Sequence, residues 1–173
     1  MEMGTRMRII VPIGWPEVKQ IWSEHLWPDR KDINRMSSMS DAHNLDKNIF
    51  KAKYNTSESN YQPYFFGCRI DNILVGVNSG HQTSDTHFRS RGLFVLPNYR
   101  RLNIGTELLL ATIKKAQQQK CKIIWTMPRK TALATYENVG FIKKSDWFKT
   151  ETVLDRRIKL LEANCYAERK LDE

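Results

Sequence analysis

"VLPNYRRLNIGTELLL", residues 95–110, holds a strand end, a proline turn and the opening of an amphipathic helix. Between the strand and the helix stand Arg100, Arg101, Asn103 and Gly105. A basic turn feeding a helix N-terminus offers unpaired backbone N–H groups and a partial positive charge, which suits an anion. By itself the turn fits nucleic acid, the pyrophosphate of a dinucleotide, the pyrophosphate of coenzyme A, or no ligand.

Outward from the turn, the pattern is mixed. Arg8 to Ile13 reads as a first strand, and GWPEVKQIWSEHLW as a helix that Pro28 ends, with Trp15, Val18, Ile21, Trp22 and His25 along one face. Residues 29–60 are polar and aperiodic, which predicts long loops around a short helix. YFFGCRI and ILVGVNSG flank Asp71-Asn72 as a β-hairpin, and HQTSDTH turns into a further strand, FRSRGLFVL. Gly105, Leu108, Leu109, Thr112, Ile113 and Ala116 share one face of the next helix. KIIWTM is a strand, KTALATYENVG a short helix closed by Gly140, and FIKKSDWF a strand. The spacing of Leu154, Ile158 and Leu161 predicts a helix from Thr152 to Ala163, and NCYAERKL a closing strand. The expected fold is an α/β sandwich: a mixed central β-sheet flanked by helices, in one domain over residues 1–173.

Composition narrows the class. The chain is 40% hydrophobic and 27% charged, and no apolar run reaches the ~20 residues of a membrane span. With no signal-peptide pattern at the N-terminus, a cytoplasmic protein without membrane partners is expected. Three widely spaced cysteines, Cys68, Cys121 and Cys165, read as buried thiols, and the four histidines lack metal-ligand spacing. The net charge of +9 attracts polyanions. Its basic residues are scattered, however, and Trp15, Trp22 and Trp125 sit at core positions, which disfavours nucleic acid.

Two motifs decide among the ligands. The strand end LFVLP runs into Arg100-Arg101-Leu102-Asn103-Ile104-Gly105, and Ala132 precedes YENVGF at 136–141. In this order and spacing they resemble the GNAT superfamily of N-acetyltransferases. The resemblance implies that the backbone from Arg101 to Thr106 (Arg101, Leu102, Asn103, Ile104, Gly105, Thr106) cradles the pyrophosphate of acetyl-CoA, with Arg100 flanking. It implies a splayed strand pair in which Leu93 and Val95 contact the pantetheine and thioester, and the Val95 amide stabilises the oxyanion. Tyr136 matches the general acid that protonates the departing thiolate. Asn103 stands where the family usually has glycine, and asparagine tolerates the left-handed conformation best among residues with a Cβ.

The general base is left open. Where many members carry a glutamate, six residues before Val95, this chain has Arg89. Asp85, His87, His81, a water relay, or an amine that arrives neutral are the alternatives. Arg89 and Arg91 are expected on the acceptor side, where they favour a carboxylate or phosphate on the acceptor, with His87 beside them. The implied activity is acetyl transfer to a primary amine of a small molecule or peptide, by a monomer or homodimer. A catalytically silent coenzyme A-binding or protein-interaction module on the same fold is the rival.

Overall fold

A computed structural model describes residues 7–28, 33, 61–148 and 163–171, and the backbone of 151–154 and 157–160. The expected loops of 29–60 lie outside the described residues, apart from Ile33. Strand β1 (Arg8–Pro12) leads to helix α1 (Trp15–Ile21), which runs on as a π-turn over Trp22–Leu26. Strands β2 (Tyr64–Ile70), β3 (Ile73–Gln82) and β4 (His87–Val95) form a meander. The Asp71-Asn72 turn takes positive φ at both residues, as a tight hairpin with right-handed twist requires. A 3₁₀ turn at Pro97–Tyr99 precedes α2 (Ile104–Gln118), β5 (Ile123–Thr126), α3 (Leu133–Glu137) and β6 (Ile142–Lys143). Gly140, at φ 94, ends the α3 segment as the sequence implied.

The tail corrects one expectation. In place of a helix from Thr152 to Ala163, residues Glu151–Leu154 (β7) and Arg157–Leu160 (β8) pair antiparallel as a separate two-stranded sheet. Leu154 pairs with Arg157, leaving only two residues between the strands. Over so short a span the leucine and isoleucine spacing mimics a helical period, while β-branched Thr152, Val153 and Ile158 favour extension. The expected strand over 141–148 shrinks to Ile142–Lys143 plus a bridge between Phe148 and Asn164. The closing strand is β9 (Ala167–Lys170).

The main sheet has seven strands in the order β1-β2-β3-β4-β5-β9-β6. Within it only β4 and β5 are parallel, joined through α2. Helix α2 covers one face, burying Ile104, Leu108, Leu109, Thr112, Ile113 and Ala116. On the other face α1 and the π-turn after it bury Val18, Ile21 and Trp22 against Phe65 and Val77. Each such side chain contributes about 1.5–3 kcal/mol when fully buried. The sheet is thus held from both sides, with β4 at its centre.

Candidate active site

Two features of β4 build the site. The first is a bulge. Below it Ser79 pairs with Arg91 and His81 with Arg89; above it Val77 pairs with Phe94 and Gly76 with Val95. Asn78 therefore opposes two residues, Gly92 and Leu93, and Gly92 takes φ 77 to absorb the extra one. Antiparallel partners exchange hydrogen bonds at alternate residues. The Thr83 N–H bonds to the His87 carbonyl at 2.9 Å, and the Leu96 N–H to the Val75 carbonyl at 2.8 Å. Below the bulge, odd-numbered residues of β4 therefore bond to β3; above it, even-numbered ones do. Consequently the amides of Leu93 and Val95 point away from β3, toward the β5 side.

The second feature is that β5 has left by then. Parallel pairing runs only from His87 with Ile123 to Arg89 with Trp125. Beyond that pair the two strands fork. Tyr136, on α3 and 4% exposed, lies at the fork. Burial pushes its phenol above 10, against the pull of the Thr126 and Ser90 hydroxyls, which hydrogen-bond to it, and of the Arg89 charge. Ser90 and Thr126 are the next residues after the last paired couple.

The turn that precedes α2 reaches the same place. Asn103 is its N-cap in the left-handed conformation, φ 63 and ψ 17, with no side-chain cap. The first helical N–H groups, at Ile104, Gly105 and Thr106, thus have no acceptor within the helix. A Cβ on Gly105 would meet Thr135 at 3.4 Å, Leu93 at 3.8 Å and Val95 at 4.0 Å, so this turn abuts both the strand and α3. Arg101, at φ 66, is also left-handed, which its sequence does not announce. The turn is anchored from β1: the Arg8 guanidinium donates to the Leu102 carbonyl and to Glu107 Oε1, both at 2.7 Å. Arg100 is exposed, and its Nε donates to the Val95 carbonyl at 2.9 Å. These orphaned amides and the left-handed cap fit a pyrophosphate, and the forked strands fit a narrow chain below it.

On the opposite face of the sheet, Arg89 and Arg91 are 6% and 4% exposed and stack on aromatic rings. The Arg89 guanidinium carbon lies 4.9 Å from the Trp125 ring centre, and that of Arg91 4.5 Å from Trp27 and 4.9 Å from Trp22. Both line the face beneath α1 instead of standing free at a rim. His81, across from Arg89, is held neutral: burial, then the charges of Arg89 and Arg91, lower its pKa to about 3. It is too weak a base to take a proton from an amine.

His87 and Asp85 do not join the site. His87 sits at the other end of β4 from Val95, about 25 Å away along an extended strand, with its Nδ1 2.7 Å from Thr86 Oγ1. Asp85, in the same turn, accepts from the Tyr61 hydroxyl at 2.7 Å. The sequence did not single out Glu168. Among the described residues it is the only buried carboxylate. It pairs across from Trp125, two strands from Arg89, on the face that bears both. Beside it on β9, Tyr166 stacks on Trp125 at 5.6 Å, and its phenol is pushed up by burial and by Glu168.

The model of the Acetyltransferase (GNAT) family matches residues 20–141. No curated protein sequence matches the chain. Among solved structures it is similar to a GNAT-family acetyltransferase from Staphylococcus aureus Mu50, with a TM-score of 0.60 at 20% identity over 96% of this chain and 100% of that one. It is similar to the ribosomal-protein-S18-alanine N-acetyltransferase of Escherichia coli, with a TM-score of 0.60 at 14% identity over 96% of each chain. A GNAT acetyltransferase from Elizabethkingia anophelis with acetyl-CoA bound superimposes at a TM-score of 0.56, 14% identity, over 95% and 98%. At these identities the structures speak for the fold, and the family match speaks for the sequence. The chain belongs to the GNAT family of acetyltransferases.

Proposed function

We propose that the protein moves an acetyl group from acetyl-CoA to a primary amine of a small molecule or peptide, by direct attack within a ternary complex. The observation that carries this reading is a convergence: the outward amides of Leu93 and Val95, the uncapped start of α2 and the Tyr136 hydroxyl all meet at the β4–β5 fork. Acetyl-CoA supplies an acetyl thioester there. The N–H groups from Arg101 to Thr106 hold its pyrophosphate, with Arg100 flanking. The Leu93 and Val95 amides align the chain below. Tyr136 gives its proton to the sulfur as the C–S bond breaks.

This geometry refines one assignment. The carbonyl oxygen and the sulfur are two bonds apart, so the donor to that oxygen must lie close to Tyr136. Leu93 is a two-residue step, about 6.6 Å, nearer the fork than Val95. The Leu93 amide therefore serves the carbonyl oxygen as it takes on charge, and the Val95 amide the pantetheine above it. On the acceptor face Glu168 takes the amine's proton through water. Arg89 and Arg91 add positive potential there, which favours acceptors bearing a carboxylate or phosphate and disfavours polyamines. The three cysteines are free and buried, in keeping with a reducing compartment such as the cytoplasm and with no nucleophilic role.

The test is an acetyl-CoA titration by thermal shift, then thiol release over amino acids, peptides and polyamines, with Tyr136→Phe as control. Acetyl-CoA is expected to raise the Tm, and Tyr136→Phe to lower kcat by ~10²-fold or more while binding persists. Stabilisation with no turnover on any amine would support the silent module, for which the arginine at the usual glutamate position is the motive.

A further inference from the structure

Behind Tyr136 lies a chain of buried polar side chains on the α2 face: Asn78, Thr112, Ser90 and Thr126 are all at most 3% exposed. Their hydrogen-bond directions follow from what each group can give. Thr112 Oγ1 donates to the Leu108 carbonyl of its own helix at 2.9 Å, so its single hydrogen is spent. Asn78 Nδ2 stands 2.8 Å from Thr112 Oγ1 and 2.9 Å from Ser90 Oγ. An oxygen in that place would face a hydroxyl with no hydrogen to offer, so the amide must present its NH₂. Both NH₂ hydrogens are then used, one on each hydroxyl. Ser90 accepts from Asn78, and its own hydrogen is released to point elsewhere. The group it meets is the Tyr136 phenol.

We propose that Asn78 is a positioning residue that turns the Ser90 hydroxyl into a donor toward the Tyr136 oxygen. The inference rests on Tyr136 being the acid of the reaction. As the thioester C–S bond breaks, the sulfur takes both electrons and then the phenol's proton, so S–H forms as O–H breaks. The Tyr136 oxygen is left negative, and the Ser90 hydrogen bond stabilises that charge in a dry setting. The phenol is restored by the proton that the new amide nitrogen sheds. With Ser90 donating to its oxygen, Tyr136 has its own hydrogen free to face the fork. Asn78 touches neither cofactor nor acceptor and acts through Ser90 alone.

The experiment reads the phenol directly. The C–O stretching band of ring-labelled tyrosine, taken as a wild-type minus Tyr136→Phe infrared difference, separates a phenol that accepts a hydrogen bond from one that does not. Ser90→Ala is expected to shift this band toward the non-accepting position, stopping short of it because Thr126 still meets the phenol, and Asn78→Leu to broaden it between the wild-type and Ser90→Ala positions. Thiol release from acetyl-CoA, with whichever panel amine turns over, is expected to fall about tenfold in kcat with KM for acetyl-CoA unchanged, as loss of one hydrogen bond to a charged oxygen implies. Thr112→Val, which removes one of the two Asn78 bonds, gives a second variant if Asn78→Leu does not fold. An unmoved band in Ser90→Ala overturns the inference even if Tyr136→Phe abolishes turnover. A moved band with unchanged kcat overturns Tyr136 as the acid, and with it the catalytic role of Asn78.

Discussion

Trp22 Nε1 donates to the Gly92 carbonyl at 2.8 Å, while a Cβ on Gly92 would lie 2.3 Å from the same indole ring. The contact closes the bulge of β4 against the helix that follows β1. Two constraints coincide at Gly92: a φ of 77 and a buried ring with no room to retreat. Gly92→Ala is expected to destabilise the fold by at least ~2 kcal/mol, since strain and overlap act together. Urea denaturation of the two proteins checks it; a loss below ~0.5 kcal/mol would mean that the bulge relaxes without Trp22.

Asn103 holds a left-handed cap at which the family usually has glycine. Asn103→Gly should leave stability within about 0.5 kcal/mol and acetyl-CoA affinity equal or better. Asn103→Ala should cost ~1 kcal/mol and weaken the cofactor severalfold, because alanine resists positive φ. Calorimetric titration with acetyl-CoA on the three proteins gives the order. If alanine binds as well as glycine, the turn does not depend on the cap conformation.

The acid stability of the protein follows from His81. Unfolded, its imidazole takes a proton near pH 6.5; folded, not until about pH 3. Between those values the unfolded chain binds more protons, so stability is complete above 6.5 and falls as the pH drops. The slope is about 1.4 kcal/mol per pH unit for this one group. His81→Gln is expected to flatten the curve across that window whatever its effect at pH 7. Denaturant midpoints from pH 4 to 8 decide it, and parallel curves would remove His81 as the cause.

Glu168 makes a prediction about base catalysis. Glu168→Gln should lower kcat/KM about 10²-fold at pH 7, with a deficit that shrinks as the pH rises toward the pKa of the acceptor amine. Once the amine arrives neutral, it has no proton to lose before attack. A deficit constant with pH would show that Glu168 only supports Trp125 and Tyr166 in the sheet.

Much of this was legible in order along the chain. The Asp71-Asn72 hairpin, the α2 face and Tyr136 each depend on neighbours within a few residues, and those signals survive without a structure. Asn103 could be read as left-handed from its chemistry; Arg101 could not, because arginine has no preference for that region. The bulge had a faint signal in Gly92, a glycine inside a strand. What it does to the amides of Leu93 and Val95 depends on the register with β3, which the sequence does not state. Asn78, Ser90 and Thr112 were silent because 12 and 34 residues separate the pairs that bond. Glu168 was hidden by a tail whose spacing suggested a helix before it.

The extra residue in β4 sets a rule of parity for the whole segment. Below it the strand serves the sheet; above it the same alternation is reversed, and what would have been a rung of the ladder becomes an open row of donors. Were the same residues paired without the bulge, Leu93 would fall opposite Val77 and Val95 opposite Val75, hiding the donors in the sheet and turning Leu93 and Val95 to the far face. The open amides at the fork are thus owed to the place where the pairing slips by one, whatever side chains surround it.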